Sequence, residues 1–268
     1  MKRETVGLRN GTRREVFIGG EGPDLVWLHG LRGVDLSDPV LNALLSRHRV
    51  IAPAAPGFND LDELAAIDNI HELALDYDDV FTQLKLDAFD LVGHSFGAMV
   101  AAEIAAHFPR QVRRLALLAP IGLWNDAYPV SDIFALPYTE IDNNLWHDET
   151  ARNAFAKPVA INLDVKESAE QLINLARSLT AVTKFTWPIP DRGLRRRLPR
   201  ITAPTLALFG AHDSVVSPRY ADDLRSGIPA AETKVVAGAG HMLAYEQPEA
   251  VCAHLERFLA PVNGGSAR

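Results

Sequence analysis

Three side chains whose types suit nucleophilic catalysis stand at comparable points of this sequence. Ser95 lies in the pentapeptide GHSFG at positions 93–97, Asp213 follows one apolar run, and His241 follows the next. A serine hydroxyl becomes a nucleophile when a histidine takes its proton and a carboxylate fixes the tautomer of that histidine. The chain order serine, aspartate, histidine therefore predicts a catalytic triad that cleaves an acyl bond.

The surroundings of Ser95 favour this interpretation. A short buried strand is predicted at 89–92, and a helix of small residues is predicted at 98–106. A nucleophile needs a tight strand-to-helix turn that exposes its oxygen, and Gly93 and Gly97 leave room where strand and helix cross. A plain turn in which the serine caps the helix is the alternative, and the pentapeptide alone does not separate the two.

The elements that must position these residues follow an alternating pattern. Strands are predicted at 14–18, 24–28, 49–52, 89–92, 115–118, 205–209 and 233–236, and helices at 39–47, 69–86, 98–106, 218–226 and 248–259. Apolar strands that alternate with helices predict an α/β fold with a doubly wound, mostly parallel sheet. Ligand chemistry in such sheets gathers at the carboxyl ends of the strands, where the three candidates stand.

The alternation stops between residues 121 and 200, where the sequence is helical or irregular. We predict a core domain formed by 1–120 and 201–268, with 121–200 inserted as a helical cap and 263–268 as a frayed tail. Some bulky residues of the cap should form a small core of their own and others should line the substrate pocket. These residues are Trp124, Tyr128, Phe134, Tyr138, Trp146, Phe155, Phe185 and Trp187.

Two backbone N–H groups are expected to hold the developing oxyanion. One belongs to Phe96, at the start of the predicted helix, and the other to Leu31, in the loop after His29. His29 itself could act as a second base, but bracing its loop through hydrogen bonds is the favoured interpretation. The candidates for the substrate pocket are His29, Trp124, Trp146, Trp187 and Met242.

A basic run near the end of the cap has two interpretations. It could be a solvated helix that pairs with acidic neighbours, or one arginine could hold a substrate carboxylate through two hydrogen bonds. The run comprises Arg192, Arg195, Arg196, Arg197 and Arg200.

Composition narrows the classes of partner. The 268 residues carry a net charge of −7, which argues against nonspecific binding to nucleic acid or anionic membranes. Cys252 is the only cysteine, so an intrachain disulfide is excluded and a reducing compartment is favoured. The first residues lack the apolar core of a signal peptide, and no apolar run is long enough to span a bilayer. We expect a cytoplasmic protein with a small-molecule substrate, no metal and no cofactor; the oligomeric state stays open.

Taken together, these residues resemble the α/β-hydrolase fold superfamily over essentially the whole chain. The resemblance rests on His29 and Gly30 after a strand, on 93–97, and on 210–213 and 238–241, with EQPE following at 246–249. It implies an eight-stranded, mostly parallel sheet, a helical cap and a Ser–His–Asp triad. The segment 187–194 is similar to the end of the cap in bacterial esterases and in C–C hydrolases of ring-cleavage products.

The sequence departs from these relatives at two positions around the site. Many relatives carry Asp-x-Pro-Gly-x-Gly where this chain has AAPGFN at 54–59, and the C–C hydrolases usually carry Trp where this chain has Met242. Dehalogenases and epoxide hydrolases of this fold carry Asp at the position of Ser95, so both activities are disfavoured. The expected function is hydrolysis of a small carboxylic ester. The alternatives are C–C bond hydrolysis, lactone or thioester cleavage, and a non-catalytic ligand receptor.

Overall fold

One eight-stranded sheet organises the chain in the computed structural model, which describes residues 1–156 and 165–260. The strands are β1 (Lys2–Gly7), β2 (Arg13–Gly19), β3 (Asp24–Leu28), β4 (Arg49–Pro53), β5 (Phe89–His94), β6 (Val112–Leu118), β7 (Thr205–Gly210) and β8 (Ala231–Val236). Their spatial order is β1-β2-β4-β3-β5-β6-β7-β8. Strand β2 is antiparallel to β1 and β4, and the remaining neighbours are parallel. The predicted mostly parallel sheet is confirmed.

Ten α-helices accompany the sheet in the described residues. They are α1 (Pro39–Leu44), α2 (Ile70–Gln83), α3 (Phe96–His107), α4 (Tyr138–Leu145), α5 (Glu149–Phe155), α6 (Val165–Thr186), α7 (Leu194–Arg197), α8 (Tyr220–Gly227), α9 (Leu243–Glu246) and α10 (Pro248–Leu259). Helix α1 packs against α10 and α2 packs against α3, which agrees with a sheet covered on both faces.

Local sequence explains the strands and helices that position the site. All six residues of β5 and all six of β7 are buried, which is why their sequences read as continuous apolar runs. Helix α2 begins where the side chain of Asn69 accepts the N–H groups of His71 and Glu72. Helix α3 is buried along almost its whole length, because its small side chains let it lie close against the sheet.

Strand β1 is the element that sequence patterning did not predict. Four of its six residues are exposed and only Val6 is buried, so no alternation of apolar and polar residues marks it. Its place at the sheet edge explains this composition, since it pairs with β2 alone.

The predicted cap, residues 121–200, contains α4 to α7 and no strand among its described residues. Among the described residues of the cap, the expected small core does not form as a separate cluster. Trp146 and Phe185 are buried within the same continuous apolar core as the strands, because the cap lies directly on the carboxyl-end loops. The division at 120 and 200 stays a prediction, and its parts at 157–164 and 261–268, including the predicted tail at 263–268, lie outside the described residues.

Within the described residues, no helix combines the length and apolar character that a membrane span requires.

Candidate active site

Ser95 occupies the turn between β5 and α3 in a conformation that L-residues rarely adopt. Its φ is 56° and its ψ is −114°, which corresponds to roughly 1–3 kcal/mol of backbone strain. The neighbouring strand β6 holds the turn in place, because the N–H of Ser95 donates to the carbonyl of Leu118 at 2.8 Å. This is the strained turn that the pentapeptide predicted.

Glycine is required on both sides of Ser95 by close contact. A Cβ atom added to Gly93 would lie 2.4 Å from the carbonyl oxygen of Gly97, and one added to Gly97 would lie 2.1 Å from that of Leu28. Gly30 faces the same turn, since its added Cβ would lie 3.2 Å from the Cβ of Ser95. The strand, the helix and the loop after β3 can therefore meet only without side chains at these positions.

The structure brings the three predicted catalytic side chains together. The Oγ of Ser95 lies 2.7 Å from the Nε2 of His241, and the Nδ1 of His241 lies 2.9 Å from the Oδ2 of Asp213. The other carboxylate oxygen of Asp213 accepts the N–H groups of Val215 and Val216, both at 2.8 Å. Because these bonds fix the carboxylate, Nδ1 of His241 carries the proton and Nε2 is free to accept one from Ser95.

The loops that carry Asp213 and His241 are held to each other by their backbones. The N–H of His212 donates to the carbonyl of Ala239 at 2.9 Å, and an added Cβ on Gly210 would lie 2.1 Å from the carbonyl oxygen of Gly240. Strands β7 and β8 are neighbours in the sheet, so both loops leave the same edge. His241 is 2% exposed, and its charge interactions therefore act in a poorly hydrated environment.

His94 is a supporting residue whose contact the sequence did not reveal. Its Nε2 donates to the backbone carbonyl of His241 at 2.9 Å, across 147 residues of chain. Burial, together with the neighbouring His241, lowers the pKa of His94 to about 4. His94 is therefore neutral near pH 7, and it holds the base from behind without a competing positive charge.

His29 braces its loop, as the favoured interpretation predicted. Its Nδ1 donates to the carbonyl of Gly30 at 2.8 Å, and its Nε2 accepts the N–H of Ala55 at 2.8 Å. Burial lowers its pKa to about 4. Since both ring nitrogens have backbone partners, His29 does not serve as a second base in this arrangement.

The two N–H groups expected to hold an oxyanion lie beside Ser95. Leu31 and Phe96 line a cavity together with Ser95 and His241. Neither N–H donates to another group in the part of the chain that the structure describes. Phe96 is also the first residue of α3, where the helix dipole favours a negative charge.

Two cavities meet at Ser95 and His241. The first lies under the cap and is mainly apolar, with Ile121, Phe134 and Val182 among its lining residues. The second lies beside the loop after β3 and is bordered by the ionisable side chains of Arg32, Asp35 and Asp38. The site can thus receive a molecule whose apolar part lies in the first cavity and whose more polar part lies in the second, with Ser95 between them.

The pocket candidates fall into three groups. Trp124 and Trp187 line the apolar cavity, and Trp187 is also 52% exposed at its outer side. His29 and Met242 line the second cavity. Trp146 lines neither of the two; its ring packs edge-on against Tyr245 with the centroids 5.6 Å apart.

The basic run ties the end of the cap to the core. Arg197 binds the buried carboxylate of Glu103 through two hydrogen bonds of 2.7 and 2.6 Å. Arg195 pairs with Asp223 at 2.8 Å, and Arg200 donates to the carbonyl of Ala106 at 2.9 Å. Arg192 donates to carbonyls within the cap itself. None of the five arginines lines either cavity at Ser95, so the substrate-carboxylate interpretation finds no support in their positions.

Asp38, which sequence reasoning did not single out, is a buried carboxyl beside the second cavity. It begins α1 by accepting the N–H groups of Val40 and Leu41, and burial raises its pKa from 3.8 to about 7. The pKa of Asp38 is higher in the native state than in the unfolded chain. Between pH 3.8 and about 7, the carboxyl is therefore protonated to a greater extent in the native state. The carboxyl therefore costs stability as the pH rises from about 4 to 7.

We expect the substitution Asp38→Asn to stabilise the protein in a pH-dependent way. The amide oxygen can still cap α1, and the side chain stays neutral at every pH. The free energy of unfolding of the variant minus that of the wild type should increase by about 3 kcal/mol from pH 5 to pH 8, measured by urea denaturation of both proteins. A difference between the two proteins that is the same at both pH values would contradict this expectation.

A mostly parallel sheet of eight strands with a serine on a strained strand-to-helix turn defines the α/β-hydrolase class. The comparison with known families agrees: the model of the alpha/beta hydrolase family matches residues 25–254. The chain belongs to this family.

Relatives within the family include esterases and larger proteins. The chain is 28% identical over 261 residues to the pimeloyl-[acyl-carrier protein] methyl ester esterase of Vibrio atlanticus, covering 90% of this chain and 96% of that enzyme. It is 29% identical over 281 residues to the polyketide synthase ThaQ of Burkholderia thailandensis, with all of this chain covered but only 13% of that protein. Among solved structures, the 2-hydroxy-6-oxo-6-phenylhexa-2,4-dienoate hydrolase of Rhodococcus sp. strain RHA1 superposes with a TM-score of 0.75 at 18% identity, covering 96% of this chain and 98% of that one. This last likeness concerns the fold alone.

Proposed function

We propose that the protein is a serine hydrolase that cleaves a small carboxylic ester through an acyl-enzyme. The observation that carries the proposal is the continuous hydrogen-bonded chain from Ser95 through His241 to Asp213, with Ser95 on a strained turn. A serine that only caps a helix needs no oriented histidine beside it and no carboxylate behind that histidine.

The geometry suggests the following sequence of steps. His241 accepts the proton of Ser95 at Nε2 while the serine oxygen attacks the ester carbonyl, and Asp213 stabilises the imidazolium. The N–H groups of Leu31 and Phe96 hold the oxyanion. His241 then protonates the departing alcohol, and an acyl group remains on Ser95. Water, activated by His241 in the same way, releases the acid and restores the serine.

The substrate is proposed to be a small ester with at least one apolar part. The apolar cavity under the cap would accept an alkyl or aryl group, and residues 121–200 would then set the selectivity. The esterase from Vibrio atlanticus, a relative of similar length, supports ester chemistry over the alternatives. We further propose a small molecule rather than nucleic acid as the partner, and a cytoplasmic location, given the charge of −7 and the single cysteine.

A panel of substrates tests the proposal. We expect turnover of p-nitrophenyl acetate and butyrate, together with covalent labelling of Ser95 by a fluorophosphonate, located by mass spectrometry. Lactones, thioesters and a vinylogous diketone ring-cleavage product form the other arms of the panel. Turnover of the diketone without ester turnover would replace the proposal with C–C hydrolysis. Tight binding of a small ligand without any turnover would indicate a receptor.

A further inference from the structure

Glu246 is a buried carboxylate that the proposed chemistry does not use. It ends α9, five residues after His241, and is 6% exposed. No arginine or lysine lies within ion-pair distance of it in the described part of the chain. Its partners are three backbone N–H groups, and these belong to two different parts of the protein.

One carboxylate oxygen of Glu246 binds the loop of the base. Its Oε2 accepts the N–H of Gly240, the residue directly before His241, at 2.7 Å. The other oxygen binds the cap. Its Oε1 accepts the N–H groups of His147 and Asp148 at 2.6 and 2.7 Å. A single carboxylate side chain therefore joins the two segments through three short hydrogen bonds.

Further contacts hold the same piece of cap against the triad loops. The N–H of Met242 donates to the carbonyl of Leu145 at 3.2 Å. The ring of His147 stacks on His212, which precedes Asp213, with the ring centroids 3.9 Å apart and an interplanar angle of 14°. The cap segment 145–148 thus touches both the loop of the acid and the loop of the base.

The sequence around His241 is adapted to this contact. A Cβ atom added to Gly240 would lie 2.9 Å from the backbone nitrogen of His147 and 3.3 Å from Oε2 of Glu246. Gly240 does not have a positive φ, so the close approach of the cap, and not backbone conformation, requires glycine there.

We infer that Glu246 is a positioning residue that couples the cap to the catalytic base, holding the 240–241 backbone where His241 meets both Ser95 and Asp213. Glu246 touches no reacting atom, and its effect passes through Gly240. The inference rests on the proposed hydrolase function for its effect on rate. It also makes a separate statement about the His241–Asp213 hydrogen bond, which can be measured without turnover.

The substitution Glu246→Gln tests the inference because it keeps the volume of the side chain. An amide has a single acceptor oxygen, which can serve either the two cap N–H groups or that of Gly240, so the bridge must break. We expect kcat for p-nitrophenyl butyrate to fall about 10²-fold while KM stays within about threefold. A misplaced base slows the reaction, whereas the walls of the apolar cavity come from neither 145–148 nor 242–246. In proton NMR spectra, the low-field resonance of the Nδ1 proton of His241, assigned by its loss in His241→Asn, should shift or broaden.

Asp90→Asn is the matched control. Asp90 is also a buried carboxyl, 3% exposed, but it lies near the start of β5 and pairs with Arg113 at 3.4 Å. Asp90→Asn should lower the thermal unfolding temperature while kcat and the His241 resonance stay as in the wild type.

If Glu246→Gln does not fold, Glu246→Asp replaces it, because the shorter side chain cannot reach both sets of N–H groups. An unchanged His241 resonance, or a kcat within twofold of that of Asp90→Asn, would overturn the inference. Failure of the wild type to turn over esters would instead overturn the proposed function, and the resonance would still decide the role of Glu246.

Discussion

Ser95→Ala is expected to lower kcat/KM for p-nitrophenyl butyrate by at least about 10⁴-fold, the largest effect on activity that we expect of any single substitution. The change removes the atom that attacks the carbonyl and leaves His241 without the proton that it would accept, 2.7 Å away. Labelling by a fluorophosphonate should disappear with the activity.

The same substitution should leave the protein folded. The hydroxyl of Ser95 makes no helix-capping hydrogen bond, so its loss removes no support from α3. A second variant, Ser95→Gly, should raise the free energy of unfolding by about 1 kcal/mol, because glycine adopts the positive φ of 56° without strain. Ser46→Ala, on an exposed serine two residues after α1, is the control and should change neither the activity nor the stability by more than about 0.5 kcal/mol. Retention of activity in Ser95→Ala would rule out an acyl-enzyme formed on Ser95.

Gly97→Ala is expected to have the largest effect on stability. In an ordinary helix, alanine is more favourable than glycine by roughly 1 kcal/mol. Here the new Cβ would lie 2.1 Å from the carbonyl oxygen of Leu28 and 2.6 Å from that of His29. Helix α3 would have to move away from β3 and take the serine turn with it. We expect a loss of about 4 kcal/mol or more in the free energy of unfolding, measured by urea denaturation.

Gly7→Ala provides the comparison for this prediction. It also replaces a glycine by alanine, but an added Cβ at Gly7 meets no atom within 4 Å. Its stability should stay within about 0.5 kcal/mol of the wild type. Equal effects at the two positions would show that steric contact at the turn is not what selects glycine at Gly97.

The parts of the fold that local sequence encodes could be predicted. Buried strands such as β5 and β7 are continuous apolar runs, and α2 carries one-sided periodicity with a capping residue in front. Strand β1 could not be found in this way, because an edge strand that is exposed on most of its length needs no apolar pattern. The expected separate core of the cap was wrong for the residues that the structure describes, since Trp146 and Phe185 are buried in the main core.

The site shows the same division between local and long-range information. The turn at 93–97 and the positions of Asp213 and His241 after strands follow from glycines and apolar runs that lie next to them in the chain. The partners of the basic run could not be predicted from the local sequence. Arg197 binds Glu103, which is 94 residues away in the chain, and nothing near Arg197 in the sequence distinguishes such a contact from a solvated charge or a ligand site.

The sequence by itself determined seven of the eight strands, the strained serine turn and the identities of the three residues that meet there. Only the tertiary structure decided that His94 binds the carbonyl of His241, that Trp146 packs on Tyr245 and lines neither cavity, and that Glu246 joins the loop of His241 to the cap. The physical reason is that these contacts are hydrogen bonds and packing between distant segments. The cap N–H groups that Glu246 binds are 98 and 99 residues away in the chain, and their approach depends on where the whole cap lies.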